Sequence, residues 1–284
     1  MKATHFLSEK AFSRLMMQLQ QNETVLQLES QHAGETLLGA GAAAAVSCYG
    51  TTAYYEKGGA ITSEKMQSPW QALRDFREQQ AGKWVFGLLG YDLKNSLEAL
   101  ASEKPDAVGA PDLAFFTPVW VMRYRAKTGR LDIVAAERPF PERLLSQAEK
   151  QAAAEPEPAF LFELATGNAH EKRWYTGIIK QAKRDIYEGE YYEINLSREL
   201  KGRYSGPPYA LYERMKAAGP VPFGAYFRFQ PPRSDAPIQV CCASPERFLR
   251  RSGPVLQSQP IKGTAAVSAT GDAAEDKRIA ERLL

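Results

Sequence analysis

Short segments of alternating apolar and polar residues, separated by glycine- and proline-containing turns, recur along this chain of 284 residues. Alternation with a period of two predicts β-strands that bury one face. Four such segments follow one another closely, at residues 224–229, 238–243, 247–250 and 255–259. Because strands joined by short turns pair antiparallel, we expect a fold built around an antiparallel sheet.

Helical periodicity interrupts the strands at several places. Trp174, Ile178, Ala182 and Ile186 recur every four residues, which predicts an amphipathic helix that stops at Gly189. Further helices are predicted within residues 68–80, 139–158, 207–219 and 272–284. Antiparallel strands with helices between some of them define the α+β class.

The segment Glu155-Pro156-Glu157-Pro158 reads as a connector between two regions of the chain. We therefore divide the chain into an N-terminal region, residues 1–158, and a second region, residues 159–284. Other strands are predicted on both sides of this boundary, at residues 24–29, 83–91, 115–124, 130–135 and 191–203.

Charge and cysteine content exclude several classes of function. The 36 basic and 33 acidic residues leave a net charge of +3, too balanced for a surface that binds nucleic acid or a membrane. No apolar stretch is long enough to span a bilayer, and the N-terminus lacks the apolar core of a secretory signal. The three cysteines are odd in number and have no metal-binding spacing, which predicts a reducing compartment. We expect a cytoplasmic protein.

Two short motifs carry groups capable of chemistry. Ser244-Pro245-Glu246-Arg247-Phe248 supplies a carboxylate, and Pro260-Ile261-Lys262-Gly263-Thr264 supplies an amine sixteen residues later. A strand that leaves the first motif and returns to the second would place Glu246 and Lys262 in one pocket. A desolvated lysine there would be a nucleophile, and the carboxylate a general acid or base. From spacing alone, a solvated lysine and a surface Glu246–Arg247 ion pair are the commoner outcome.

Further motifs occur in the order typical of one enzyme family. They are the Gly189-Glu190-Tyr191-Tyr192-Glu193-Ile194-Asn195-Leu196-Ser197 segment after a helix, Asp276 before the next helix, and upstream matches at 28–30 and 87–92. With the two motifs above, the chain resembles the chorismate-utilising enzymes, which include anthranilate synthase component I, aminodeoxychorismate synthase component I, isochorismate synthase and salicylate synthase. The resemblance implies an antiparallel β-sandwich flanked by helices.

The residue at the position of Lys262 separates the branches of this family. With lysine at this position the chain resembles aminodeoxychorismate synthase component I, whereas alanine would point to anthranilate or isochorismate synthase. The resemblance implies amination of chorismate to 4-amino-4-deoxychorismate, for para-aminobenzoate and folate biosynthesis. Lys262 would attack C2 of chorismate while Glu246 acts as acid and base on the departing C4 hydroxyl. Ammonia from a separate glutaminase subunit would add at C4, and Gly263 and Thr264 would contact the substrate.

Two other functions stay open: anthranilate synthase component I, and a non-catalytic fragment that binds a partner or tryptophan. The resemblance places a tryptophan pocket at Glu29, Ser30, Pro222 and Phe223. It implies Mg²⁺ as cofactor, but the family's metal ligands correspond to sequence beyond Leu284, so we expect none in this chain. We therefore expect a C-terminally truncated enzyme with an incomplete sandwich.

Overall fold

The computed structural model describes residues 3–30, 34–100, 105–154, 156, 158–164, 169–219, 221–261 and 265–283. The helices in these ranges are α1 Glu9–Asn22, α2 Pro69–Gln79, α3 Glu142–Ala154, α4 Ala169–Glu188, α5 Pro208–Ala218 and α6 Ala273–Leu283. The strands are β1 Ala3–Phe6, β2 Val25–Ser30, β3 Glu35–Tyr49, β4 Thr52–Lys57, β5 Ala60–Lys65, β6 Phe86–Leu89, β7 Leu113–Arg125, β8 Arg130–Ala136, β9 Leu161–Leu164, β10 Gly202–Ser205, β11 Phe223–Phe229, β12 Ile238–Ser244, β13 Arg247–Ser252 and β14 Val255–Gln259.

Ten of these strands form one antiparallel sheet. Its main path runs β1-β8-β7-β3-β2-β11-β12, while β4 pairs with β3 and β5, and β6 pairs with β7. The remaining strands of the described residues form two separate two-stranded sheets, β9 with β10 and the hairpin β13–β14. The combination of helices with antiparallel strands confirms the predicted α+β class.

The long strand β3 bends near its middle. Gly41 has a φ of +71°, a left-handed conformation that glycine adopts without steric cost. The pairing register between β3 and β7 shifts between Ala42 and Ala44 next to it. A Cβ at Gly41 would also lie 3.1 Å from the Cβ of Val119. The bend therefore depends on glycine at this position.

This bend folds the sheet over itself. Phe116 in β7 pairs with Ala45 of β3, whereas Phe227 in β11 connects through Leu26 of β2 to Gly39 of β3. Phe116 and Phe227 are thus separated both across the strands and along them, and in a flat sheet they would be more than roughly 20 Å apart. The centroids of the two phenylalanine rings are 5.9 Å apart. The sheet therefore forms two facing layers, as the predicted sandwich requires.

Helices α1, α3 and α5 cover the outer face of the sheet. Ser8 caps α1, because its Oγ accepts a hydrogen bond from the amide of Ala11 at 3.1 Å. The shared core contains residues from all three helices and from β3, β7 and β11, among them Leu15, Met16, Leu38, Met122, Leu145, Tyr209, Tyr212 and Tyr226. Helix α1 was not predicted from the sequence, although it supplies much of this core.

Helix α2 covers the other end of the sheet and confirms its prediction over residues 68–80. Ser68 caps it, with its Oγ accepting from the amide of Gln71 at 3.3 Å, and Pro69 occupies the first turn. Ala72 and Phe76 are buried against Cys48 and its neighbours in β3 and β4.

Much of the second region is exposed. Helix α4 confirms the predicted helix, but along its apolar face Ala182 is buried while Trp174 is 55% exposed. Leu249 in β13 and Val255 in β14 are 57% and 62% exposed. These apolar side chains lie on elements that the rest of the described chain does not cover. Among the described helices, none combines the length and apolar character needed to cross a membrane.

The strand predicted over residues 191–203 is wrong except at its end. Regular pairing begins only at Gly202, where β10 meets Leu164 of β9. A strand needs a neighbour for its backbone groups, and the segment before Gly202 has no such neighbour in the described chain. It lies instead beside α4, where the hydroxyl of Tyr175 donates to the carbonyl of Leu196 at 3.4 Å.

Candidate functional site

Glu246 lies in the tight turn between β12 and β13, with its side chain exposed. Ser244 shapes this turn in two ways. Its Oγ donates to the carbonyl of Glu246 at 2.9 Å and accepts from the amide of Glu246 at 3.4 Å. Such a local hydroxyl–backbone turn explains why a serine precedes Pro245, and it holds the Glu246 backbone at the end of the sheet.

The β13–β14 hairpin returns the chain to the starting point of β13, as the sequence predicted. Arg247, the first residue of β13, pairs with Gln259, the last residue of β14. The side chains also meet, because Arg247 Nε donates to Gln259 Oε1 at 2.7 Å. The Glu246 turn and the segment leading to Lys262 therefore leave the same end of the hairpin. Lys262 itself lies outside the described residues, as do Gly263 and Thr264.

Phe223 links the Glu246 turn to a second predicted site. It pairs with Ser244 on one side and with Ser30 on the other. The guanidinium of Arg247 lies over its ring, 4.8 Å from the centroid, within the range of a cation–π interaction. Phe223 is itself one of the predicted tryptophan-pocket residues. It therefore connects that pocket to the strand that enters the Glu246 turn.

The four residues of that predicted pocket lie together. Ser30 ends β2 and pairs with Phe223, the first residue of β11, while Glu29 pairs with Gly224. Pro222 directly precedes β11 and is half-buried.

Glu29 is the best-connected polar group of this cluster. Its side chain is only 17% exposed, and its Oε1 accepts from Lys216 Nζ at 2.7 Å. Gln27 Nε2 donates to the same oxygen, and Gln27 Oε1 in turn accepts from the hydroxyl of Tyr209 at 3.0 Å. Lys216 also meets Glu213 at 2.8 Å. The carboxylate of Glu29 is thus part of a largely buried network under the β2–β11 end.

The electrostatics of the network stabilise the charged lysine. Burial lowers the pKa of Lys216, but the nearby carboxylates of Glu213 and Glu29 outweigh it, so the pKa lies above its ordinary value. Lys216 therefore stays an ammonium at neutral pH. Sequence reasoning missed it because helix α5 contacts Glu29 across 187 residues, a separation that no local pattern reports.

Tyr212 closes the floor beneath Gly224. A Cβ on Gly224 would lie 2.6 Å from the Tyr212 hydroxyl oxygen, closer than real Cβ contacts. Burial, followed by the charge of Glu29, raises the pKa of Tyr212 above its ordinary value, so its hydroxyl stays protonated. Glycine at position 224 is thus a packing requirement of the Tyr212 side chain.

Asp276 was predicted to precede a helix, and this is wrong by less than one turn. It lies in the first turn of α6, where its Oδ1 accepts from the amide of Ser268 at 2.6 Å. An acidic residue in the first turn favours the helix because it opposes the positive end of the dipole. Asp276 therefore ties the segment before the helix to its first turn, whereas Asp272 caps α6 by accepting from the amide of Ala274 at 2.8 Å.

The described residues do not fit a Mg²⁺ site. Among them, no three side chains of the His, Cys, Asp and Glu types come together in an arrangement that could hold a metal ion. Mg²⁺ needs oxygen ligands in near-octahedral geometry.

Comparison with known proteins identifies the family of this chain. The sequence profile described as "chorismate binding enzyme" matches residues 21–284. The chain belongs to the chorismate-binding enzyme family. Anthranilate synthase component 1 of Thermus thermophilus is 32% identical over 207 residues, which are 70% of this chain and 43% of that protein. Aminodeoxychorismate synthase of Streptomyces griseus is 32% identical over 202 residues, which are 66% of this chain and 26% of that protein.

The fold agrees with a solved member of the same family. The crystal structure of anthranilate synthase component I from Streptococcus pneumoniae superposes with a TM-score of 0.58 at 19% identity, covering 90% of this chain and 57% of that one. This likeness shows the fold. The chain spans less than half the length of the two curated relatives above. Because those relatives carry two different names, family membership leaves the reaction of this chain unresolved.

Proposed function

We propose that this chain carries part of the active site of an aminodeoxychorismate synthase component I, which aminates chorismate to 4-amino-4-deoxychorismate. The observation that supports the proposal best is the β13–β14 hairpin. It pairs Arg247 with Gln259, so the residue before Arg247 and the segment after Gln259 leave one end of the hairpin. Glu246 is the residue before Arg247 and supplies the carboxylate. Lys262 lies in the segment after Gln259 and supplies the amine.

The proposed chemistry divides the work between these two groups. The neutral amine of Lys262 attacks C2 of chorismate, both ring double bonds shift towards C4, and the C4 hydroxyl leaves. Because hydroxide is a poor leaving group, Glu246 donates a proton so that water departs. Ammonia then forms the C4–N bond, both double bonds shift back, and the lysine is expelled from C2 as a neutral amine. The new C4 ammonium returns a proton to Glu246. Gly263 and Thr264, beside the nucleophile, contact the substrate.

Several parts of this reaction come from outside the described residues. Ammonia would be supplied by a separate glutaminase subunit. Mg²⁺ stays a prediction from the family resemblance, and a cytoplasmic location stays a prediction from the cysteine content and the apolar pattern of the sequence. We also propose that the 284-residue chain alone does not turn over chorismate. Glu246 and the hairpin beside it are exposed, and electrostatic catalysis needs a site from which water is excluded.

Anthranilate synthase component I is the second candidate, because a relative of that name is 32% identical to this chain. The two reactions are separated by their products. Protein purified from its own cells, with any polypeptide that accompanies it, is given chorismate, ammonium and Mg²⁺. We expect 4-amino-4-deoxychorismate on chromatography, and its loss in Lys262→Ala but not in Lys277→Ala, a change of an exposed lysine in α6. Fluorescent anthranilate as the main product would reject the proposal.

A non-catalytic role in binding tryptophan is favoured by the clustering of Glu29, Ser30, Pro222 and Phe223. Glu29 would receive the ammonium group of the ligand, in competition with Lys216 at 2.7 Å. Isothermal titration of the chain with tryptophan tests this role. Binding that is lost in Glu29→Gln supports it, and absence of binding in the unmodified chain rejects it.

A further inference from the structure

A polar groove lies between α1 and the start of α5, over the end of the β11–β12 pair that is farther from Glu246. Its volume is about 490 Å³, within the size range of small-molecule sites. Residues from α1, α3, α5, β11 and β12 converge on it, among them Arg14, Gln20, Gln151, Pro208, Arg228 and Gln239. Gln239 and Ser244 are five residues apart on β12, roughly 16 Å along a strand, so the groove is separate from the Glu246 turn.

The floor of the groove is polar. Arg228 of β11 and Gln239 of β12 are directly opposite each other in the pairing register. The hydroxyl of Tyr226 lies against the amide oxygens of both Gln20 and Gln239. Gln20 is only 8% exposed. Burying polar groups is costly unless they are hydrogen-bonded, and small-molecule sites use a few polar groups at fixed positions.

Arg228 gives the groove its charge. Its Nη1 donates to the backbone carbonyl of Glu23 at 3.1 Å, while the carboxylate of Glu23 lies 3.8 Å from Arg138. Burial lowers the pKa of Arg228, and the electrostatic interactions with Tyr226 and then Glu23 only partly offset this. Arg14 of α1 also lines the groove and donates to the carbonyl of Pro156. The charged side chains that line the groove among the described residues are those of Arg14 and Arg228.

The donors favour a carboxylate over a phosphate. A guanidinium binds a carboxylate or a phosphate through two parallel hydrogen bonds, and glutamine amides can donate to the flanks of a carboxylate. The distinction between the two anions comes from the helix that borders the groove. Phosphate sites commonly use the free amides of a helix N-terminus. Here the helix that begins at the groove starts with Pro207 and Pro208, which have no amide hydrogen to donate.

We propose that this groove binds a small organic carboxylate, with Arg228 pairing its charge and with Gln20 and Gln239 fixing its orientation. The site is additional to the chorismate chemistry and does not depend on it. Because the groove joins α1, α3, α5 and the sheet, an occupant would hold these elements together. Bound ligand should therefore stabilise the folded chain by mass action.

The test is a titration of the 284-residue chain with succinate, followed by calorimetry and by thermal unfolding at constant ionic strength. We expect saturable binding with a dissociation constant of about 1 mM or below. Arg228→Met should weaken it about tenfold or more, the loss expected for a charged hydrogen bond. Arg214→Met, which removes an exposed arginine of α5, should leave it unchanged.

Two further measurements make the outcome decisive. Circular dichroism checks that Arg228→Met is folded, and Gln239→Leu, which keeps Arg228, should weaken binding by a smaller factor. Inorganic phosphate is titrated in parallel. Binding of phosphate but not succinate would overturn the carboxylate assignment. Absence of both, or equal succinate binding by the unmodified chain and Arg228→Met, would overturn the site.

Discussion

The guanidinium of Arg247 lies 4.8 Å from the centroid of the Phe223 ring, and its Nε donates to Gln259 at 2.7 Å. One side chain thereby ties the start of β13 to β11 and to the end of β14. Glu246 directly precedes Arg247, and Lys262 follows Gln259 by three residues. We infer that Arg247 positions the two segments that carry the proposed catalytic groups.

Loss of Arg247 should loosen the β13–β14 hairpin. A two-stranded hairpin is marginal by itself, and an exposed cation–π contact contributes about 0.5–1 kcal/mol. Arg247→Ala should therefore raise amide hydrogen exchange across residues 247–259 by roughly two- to fivefold. Arg250→Ala, an exposed arginine of the same strand, is the matched control. Equal exchange in both variants would show that Arg247 does not hold the hairpin.

The contact between Gly224 and Tyr212 predicts a specific pattern of stability. Gly224→Ala puts a methyl group 2.6 Å from the Tyr212 hydroxyl oxygen, so unfolding in urea should become easier by roughly 1–3 kcal/mol. Tyr212→Phe removes that oxygen. The double variant should recover much of the loss, a coupling that a double-mutant cycle measures. Additive effects of the two changes would contradict the proposed clash.

Asp132 predicts how stability depends on acid. A hydrogen bond from Thr4 at 2.7 Å, followed by that from Arg130, lowers the pKa of Asp132 to about 2. The ordinary pKa of an aspartate is about 3.9, so this contribution is present above that pH and is lost as the pH falls towards 2. Urea unfolding between pH 5 and pH 2 should show a weaker pH dependence in Asp132→Asn. Asp235 lies in an exposed loop, so Asp235→Asn should keep the pH dependence of the unmodified chain. If Asp235→Asn weakens the pH dependence as much as Asp132→Asn does, Asp132 is not its source.

The exposed apolar side chains of the second region predict self-association. Leu249 and Leu256 are 57% and 64% exposed on the β13–β14 hairpin. Exposed apolar patches and open strand edges promote contacts between chains. Replacing both leucines by lysine should shift sedimentation-velocity profiles towards the monomer without lowering the melting temperature. Ile61→Lys on β5 should shift the profile less. If the double leucine variant sediments like the unmodified chain, Leu249 and Leu256 do not form the contact between chains.

Strands and helices with strong local signals could be predicted from the sequence. The β11 to β14 series alternates clearly, and α2 begins with the Ser68-Pro69 signal. Strand β3 could not be predicted, because its run of alanines is buried on both sides and has no period of two. The segment before Gly202 has strand-like composition but no partner in the described chain, and pairing is a long-range property.

The candidate site was also predicted only in part, because some of its contacts join residues that are far apart in the sequence. The returning hairpin follows from two short apolar segments and a glycine turn, which are local. Glu29 could be named from the family resemblance, but its partner Lys216 lies 187 residues away. Likewise, nothing in the sequence near Gly224 indicates that Tyr212 fills the space beside it. Contacts made by tertiary packing are absent from local patterns.

The central claim, that Glu246 and Lys262 share one site, is tested most directly by zero-length crosslinking. A carbodiimide joins a carboxylate to an amine only when they are in contact, and peptide mass spectrometry identifies the pair. The 2.8 Å Lys83–Glu137 ion pair of the same chain is the internal positive control. We predict a crosslinked peptide that joins Glu246 to Lys262. Recovery of the Lys83–Glu137 crosslink with no link between Glu246 and Lys262 would contradict the account.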